Sequence, residues 1–153
     1  MTTRFLLALP FLILGCTTVN TPVRESRAEV VEYVQRAGKL VERRGAGACD
    51  ELQQPRWFGN DWYVFVLDAE GRTVCHPARP EMVGRSSHEL VDAAGTRFGD
   101  EFLRVAGQGG GWVDYLWPRA NASTPEPKSS YVLSVTARNG KTYVVGSGGH
   151  AVY

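Results

Sequence analysis

Residues 111–119 read GWVDYLWPR, and how this stretch alternates decides the fold. As a β-strand it sends Val113, Tyr115 and Trp117 to one face of a sheet and Trp112, Asp114 and Leu116 to the other. Large rings on both faces are unusual, because an antiparallel sheet commonly keeps one face in water. The pattern predicts a central strand with a helix over one side and a second layer over the other. One aromatic face then closes a core while the other lines a cavity.

Outward from that strand the periods change in a definite order. Just upstream, Thr96 to Ala106 carries Phe98, Phe102, Leu103 and Ala106 at helical spacing, and the glycines at 107, 109, 110 and 111 end that helix. Further upstream, WYVFVLDAEGRTVCHP (62–77) reads as two short strands joined at Asp68-Ala69-Glu70-Gly71, where glycine supplies the positive φ of a tight turn. Pro77 and Pro80 break the run, and Ser86 to Val91 fits one helical turn. Downstream, a polar loop from Pro118 to Pro127 precedes two strands, Ser130 to Ala137 and Thr142 to Gly148, linked through Asn139-Gly140.

Nearer the N-terminus, ESRAEVVEYVQRAGKLVERRGAG (25–47) repeats Val30, Val31, Val34, Ala37, Leu40 and Val41 at three- and four-residue steps. This predicts an amphipathic helix from Ser26 to Arg44, stopped at Gly45. Ala46 to Asn60 reads as a loop with one short helical turn. The sum is an α+β domain: an antiparallel sheet of about five strands, a long N-terminal helix on one face, and a helical and loop insertion over the other.

The first residues are a different kind of segment. Arg4, the apolar run FLLALPFLILG (5–15) and then Cys16 have the form of a secretory leader, too short for the roughly twenty apolar residues of a spanning helix. Ile13-Leu14-Gly15-Cys16 resembles the lipobox of bacterial lipoproteins, which implies cleavage after residue 15 and lipidation of Cys16. The expected division is a leader at 1–15, lipidated Cys16 and a tether at 16–25, and one domain at 26–153. Thr17, rather than Asp, after the cysteine resembles outer-membrane sorting, so the expected location is the bacterial envelope, on the periplasmic face of the outer membrane.

Composition narrows the function further. The chain carries a net charge of +1, and losing Arg4 with the leader balances it, which argues against nucleic acid as a partner. Apart from Arg43-Arg44 the basic residues are scattered, with no basic stripe evident. With Cys16 assigned to lipid, Cys49 and Cys75 remain in an oxidising compartment. They read either as a disulfide, worth about 3 kcal/mol for a loop of this length, or as two buried thiols. Ser86, His88 and Asp92 can be written as a catalytic triple, but no nucleophile elbow accompanies them. His76, His88 and His150 lack metal-ligand spacing, and the glycine run has no Lys-Ser/Thr behind it for phosphate. The expectation is a binding protein without enzyme activity, metal or cofactor.

Five motifs in order, YVFVLDAEGRTVCHP (63–77), MVGRSSHELVDAAG (82–95), GGGWVDYLWP (109–118), PKSSYVLSV (127–135) and YVVGSGGH (143–150), resemble the single Cache domains of bacterial sensors, in particular the second single-Cache subtype. The resemblance runs from Glu29 to His150 and implies a PAS-like sheet. It also implies that a small organic acid of the acetate, propionate, pyruvate or lactate class is held between the sheet and the insertion. Carried over by motif, the ligand residues are Lys128, Tyr115, Trp117 and His76, with Trp57 and Tyr63 as weaker candidates.

The residue chemistry agrees with that implication. A buried carboxylate needs a cation and neutral donors, which Lys128, the Tyr115 hydroxyl and the Trp117 indole supply. The alternative reading makes the rings ordinary core, Lys128 a solvated loop residue and His76 a structural hydrogen-bonder. The domain is then an envelope scaffold with a filled pocket. Relatives of this kind sit between membrane helices and pair through the N-terminal helix, whereas this chain ends at Tyr153. It is therefore expected to work through a membrane sensor or transporter partner, with a dimer left open.

Overall fold

The computed structural model describes residues 26–59, 62–119, 122–150 and 152. The expectations placed on the leader, Cys16 and the tether lie outside the described residues. Helix α1, Arg27–Arg44, begins at a capping box: Ser26 Oγ accepts from the Glu29 amide, and the Glu29 carboxylate accepts from the Ser26 amide at 2.8 Å. Arg43 and Arg44 lie in its last turn, where the helix dipole favours cations, and Gly45 closes it at φ +55°. Val30, Val34, Ala37, Leu40 and Val41 are buried, as the periodicity predicts. The following stretch is more regular than a loop: a 3-10 turn, Gly45–Ala48, leads into a one-turn helix α2, Cys49–Leu52.

Five strands form one antiparallel sheet: β1 Phe65–Asp68, β2 Thr73–Cys75, β3 Gly111–Pro118, β4 Pro125–Thr136 and β5 Thr142–Gly149, in the order β2-β1-β5-β4-β3. The expectation that 111–118 is the central strand is corrected, because β3 pairs with β4 alone and sits at an edge. The Asn139-Gly140 turn folds β5 back along the other side of β4, and β1 then takes the far side of β5. The strand buried throughout is therefore β5, with six consecutive buried residues from Tyr143 to Gly148.

Both faces of β3 nevertheless carry packed rings, since packing depends on layers and not on strand order, although Asp114 on the α1 side is exposed. Trp112 packs against the α1-side core, with Tyr131 edge-on at 5.6 Å and the Arg27 guanidinium 4.5 Å above its ring. Val113, Tyr115 and Trp117 pack on the other side under helix α3, Phe98–Gly107. The open edge is partly closed by Asp92, whose carboxylate accepts from the Leu116 amide at 2.9 Å.

Strand β4 starts at Pro125, five residues earlier than the sequence predicts. Before Ser129 it pairs only with β3, so its prolines need no donor on the side that β5 has left. The insertion between β2 and β3 holds two 3-10 turns, Pro80–Met82 and Ser87–Glu89, before α3. Two cores result: α1, Val64, Val66, Val135 and Val145 on one face, and Phe65, Leu67, Phe98, Phe102, Tyr115, Val132 and Val144 on the other. Cys49 of α2 and Cys75 of β2 form a disulfide, which resolves the two readings of this pair.

Candidate functional site

The face of the sheet under the insertion gathers most of the residues singled out from the sequence. Alternation along β4 puts Lys128, Ser130 and Val132 on that face, and the register sets Lys128 opposite Tyr115. From the β1 side, Tyr63 and Phe65 reach the same layer. The central strand lets the rings come close, because Gly146 lies flat beneath the Phe65 ring, where a Cβ would stand 2.3 Å from its tip. Phe98 of α3 stacks on Tyr115 at 4.4 Å between ring centres and meets Trp117 edge-on at 5.4 Å.

These walls enclose a cavity of about 20 Å³, lined by Tyr63, Phe65, Leu67, Thr73, His76, Met82, Leu90, Phe98, Phe102, Tyr115 and Trp117. That is room for about one water molecule. The side of the insertion is apolar, while the polar groups cluster at the sheet. The Lys128 ammonium, 3% exposed, donates to the Tyr63 hydroxyl at 2.9 Å and lies 4.4 Å from the centre of that ring. The hydroxyls of Tyr115 and Ser130 are bonded to each other at 2.9 Å.

Electrostatically the site is a cation without a counter-ion. Burial works against the charge of Lys128, but the phenolic oxygens of Tyr115 and Tyr63 outweigh it and hold the amine above its ordinary pKa. Burial likewise disfavours the charged form of Tyr115 and pushes its phenol up. No carboxylate among the described residues forms an ion pair with Lys128. Arg79 stands nearby, with its guanidinium 5.3 Å over the Trp117 ring and only a loose 3.9 Å approach to Glu81.

His76 packs at a tilt against Tyr63, 4.7 Å between ring centres, and its Nδ1 accepts from the Arg79 amide at 3.1 Å. Burial first, and the charge of Lys128 second, lower its pKa from 6.5 to about 3, so the imidazole is neutral. Below pH 6.5 the unfolded chain takes up a proton that the folded chain refuses until about pH 3. Stability therefore falls as the pH drops through that window, by at most about 1.4 kcal/mol per unit for this group. His76→Gln is expected to flatten the slope of unfolding free energy between pH 6.5 and 4 in urea titrations. An unchanged slope would assign the acid sensitivity to other groups.

One expectation is corrected. Trp57 does not join the cavity: it packs on the opposite side of the sheet, 5.3 Å from Tyr33 of α1, whose hydroxyl donates to the Trp57 carbonyl. The catalytic triple is not assembled either. His88 pairs with Asp100 at 2.5 Å, Ser86 Oγ accepts from the His88 amide, and Asp92 accepts from the amides of Ala94, Thr96 and Leu116. The three histidines lie apart, with His150 Nε2 at 2.9 Å from the Trp117 carbonyl. Among the described residues no group of three metal-ligating side chains is close enough to hold an ion.

Sequence reasoning missed Arg79 and Ser130. Ser130 lies two residues along β4 from Lys128, on the same face, but the expected strand began only at Ser130 and so left Lys128 outside it. Arg79 follows His76-Pro77-Ala78 closely, but only the turn at 76–79 carries it over Trp117.

Comparison with known proteins places this geometry. Residues 18–149 match Single Cache domain 2. The chain is 31% identical over 91 residues to the sensor histidine kinase MctS of Rhizobium johnstonii, covering 60% of this chain and 19% of that protein. It is 27% identical over 114 residues to the methyl-accepting chemotaxis protein McpP of Pseudomonas putida, covering 72% and 21%. It thus spans about a fifth of the length of these two relatives. A solved periplasmic sensor domain of a chemotaxis protein superposes with a TM-score of 0.70 at 34% identity, covering 80% of this chain and 93% of the other. A Cache chemosensory domain solved for the structural basis of its carboxylic acid recognition superposes at 0.67 with 28% identity, covering 80% and 91%. With its PAS-like sheet and the match over nearly all of the described residues, the chain belongs to the Single Cache domain 2 family.

Proposed function

We propose that this domain binds a small monocarboxylate on the extracytoplasmic side of a bacterial membrane and presents the bound state to a partner. The observation that carries the reading is Lys128, a charged amine buried at 3% exposure with no anionic partner among the described residues. Hydroxyl groups alone hold that charge, and an incoming carboxylate supplies the anionic partner it lacks. Two of its three N–H donors remain for the ligand after the bond to Tyr63, and the Tyr115–Ser130 hydroxyl pair stands on the same face as a neutral donor. The apolar walls, Leu67, Met82, Leu90, Phe98 and Phe102, suit a tail of one or two carbons. A second carboxylate would meet those walls unpaired. Acetate, propionate, pyruvate and lactate fit this description, and dicarboxylates do not. The related domain solved with carboxylic acid recognition in view supports the same class.

The cellular setting belongs to the same proposal. No helix among the described residues is long and apolar enough to cross a membrane. Cleavage after residue 15, lipidation of Cys16 and a tether to residue 25 would hold the domain, 26–153, at the envelope, on the periplasmic face of the outer membrane. A membrane sensor or transporter then reads its state, as the kinase and chemoreceptor relatives suggest.

One observation favours the second reading, a scaffold whose pocket its own side chains fill: the cavity holds only about 20 Å³. Under the binding reading, the wall segment at Pro77 to Met82 moves outward to admit the ligand. A thermal-shift series on the full chain, with two- and three-carbon monocarboxylates beside succinate and malate, separates the two. Ligand at a hundred times its Kd stabilises by about 2.7 kcal/mol, a shift of several degrees. A shift confined to monocarboxylates is expected, and no shift across the series would leave the scaffold reading standing.

A further inference from the structure

The outward side of α1 carries a basic stripe that the fold extends with a residue distant in sequence. Arg36, Lys39 and Arg43 recur at three- and four-residue steps on the exposed face of the helix, and the fold brings Arg56 alongside them. Between these elements runs an open groove of about 380 Å³, with Leu40, Tyr33 and Trp57 along it. Four cations therefore line it against one carboxylate, Glu51. That carboxylate is already engaged by Arg56 at 2.8 Å and by Arg44 at 3.2 Å. Arg36 makes only a loose 3.9 Å approach to Glu32, and Lys39 and Arg43 have no acidic partner among the described residues. In a chain of net charge +1 this is a local concentration of positive charge, and it lies on the opposite side of the sheet from the cavity.

We infer that this groove docks an extended, acidic segment of a partner polypeptide. Shape and chemistry argue for that occupant. A concave surface with rings beside its cations accepts a strand-like chain bearing carboxylates and an apolar side chain, whereas a bilayer is flat and is met best by a protruding basic surface. A second copy of the chain would set the same cations face to face, and like charges in apposition oppose pairing through this side. Binding here is independent of the carboxylate cavity and gives the bound state a place from which to be read.

Fluorescence anisotropy on the full chain tests this. The probes are a fluorescein-labelled peptide of alternating glutamate and alanine with one central phenylalanine, its lysine counterpart, and vesicles of phosphatidylglycerol in phosphatidylcholine. The acidic peptide is expected to bind with a strong salt dependence, and the lysine peptide is not. The double variant Lys39→Glu, Arg43→Glu should weaken binding by about tenfold or more while lowering the melting temperature only slightly, since both side chains are exposed and the change at 43 costs no more than its helix-end contribution. Equal peptide affinity in parent and variant would overturn the inference. So would binding to vesicles without binding to the peptide, or a dimer in sedimentation that the double variant dissolves.

Discussion

The full chain carrying Lys128→Met is expected to melt at or above the temperature of the parent and to show no response to any monocarboxylate. In the parent the ammonium is 3% exposed and is balanced only by the Tyr63 hydroxyl and ring. Methionine keeps most of the stem's volume and removes the charge, and replacing a buried ion by an apolar side chain of similar size is often neutral or stabilising. Ligand binding changes in the opposite direction, because a buried carboxylate deprived of its cation loses about 3–5 kcal/mol, more than a hundredfold in Kd. Stability and affinity thus separate, as they do when a site holds a charge in readiness for an anion. A variant that melts far below the parent would make Lys128 a structural residue. A variant that keeps the ligand shift would move the charge contact to Arg79, the other cation near the cavity.

The second large effect concerns the disulfide. Cys49 and Cys75 are separated by 26 residues, and a loop of that length restricts the unfolded chain by about 3 kcal/mol. Cys49→Ala, Cys75→Ala is expected to lower the urea midpoint accordingly and to reduce the melting temperature by about 10 °C. The parent treated with a thiol reductant should fall to the same values. The bond also joins the end of α1, through α2, to the last residue of β2, next to His76 at the cavity wall. Its loss is therefore expected to weaken monocarboxylate binding as well as the fold. Identical unfolding of parent, reduced parent and double variant would mean that the crosslink does not constrain the chain.

Local elements were legible because their causes are local. Periodicity and a capping residue delimit α1, the glycines at 71 and 140 have the positive φ that their turns require, and alternation assigns Tyr115 and Trp117 to one face of β3. Less regular stretches were harder to read. The prolines of 125–127 hide the start of β4, since their tolerance depends on which neighbouring strand is absent. Trp57 was misassigned because an aromatic residue in an irregular segment carries no period to say which face of the sheet it will meet.

Those signals lie within a few residues of one another, and each is a property of a short stretch of chain: the α+β content, the element order, the hairpins and the side of β3 that Tyr115 and Trp117 occupy. The order of strands across the sheet, the 26-residue crosslink, Arg79 over Trp117 and the cationic groove joining α1 to Arg56 depend on contacts between residues distant in the chain. No short-range periodicity encodes such contacts. They follow from how two apolar layers cover the two faces of one sheet, and only the tertiary structure decided them.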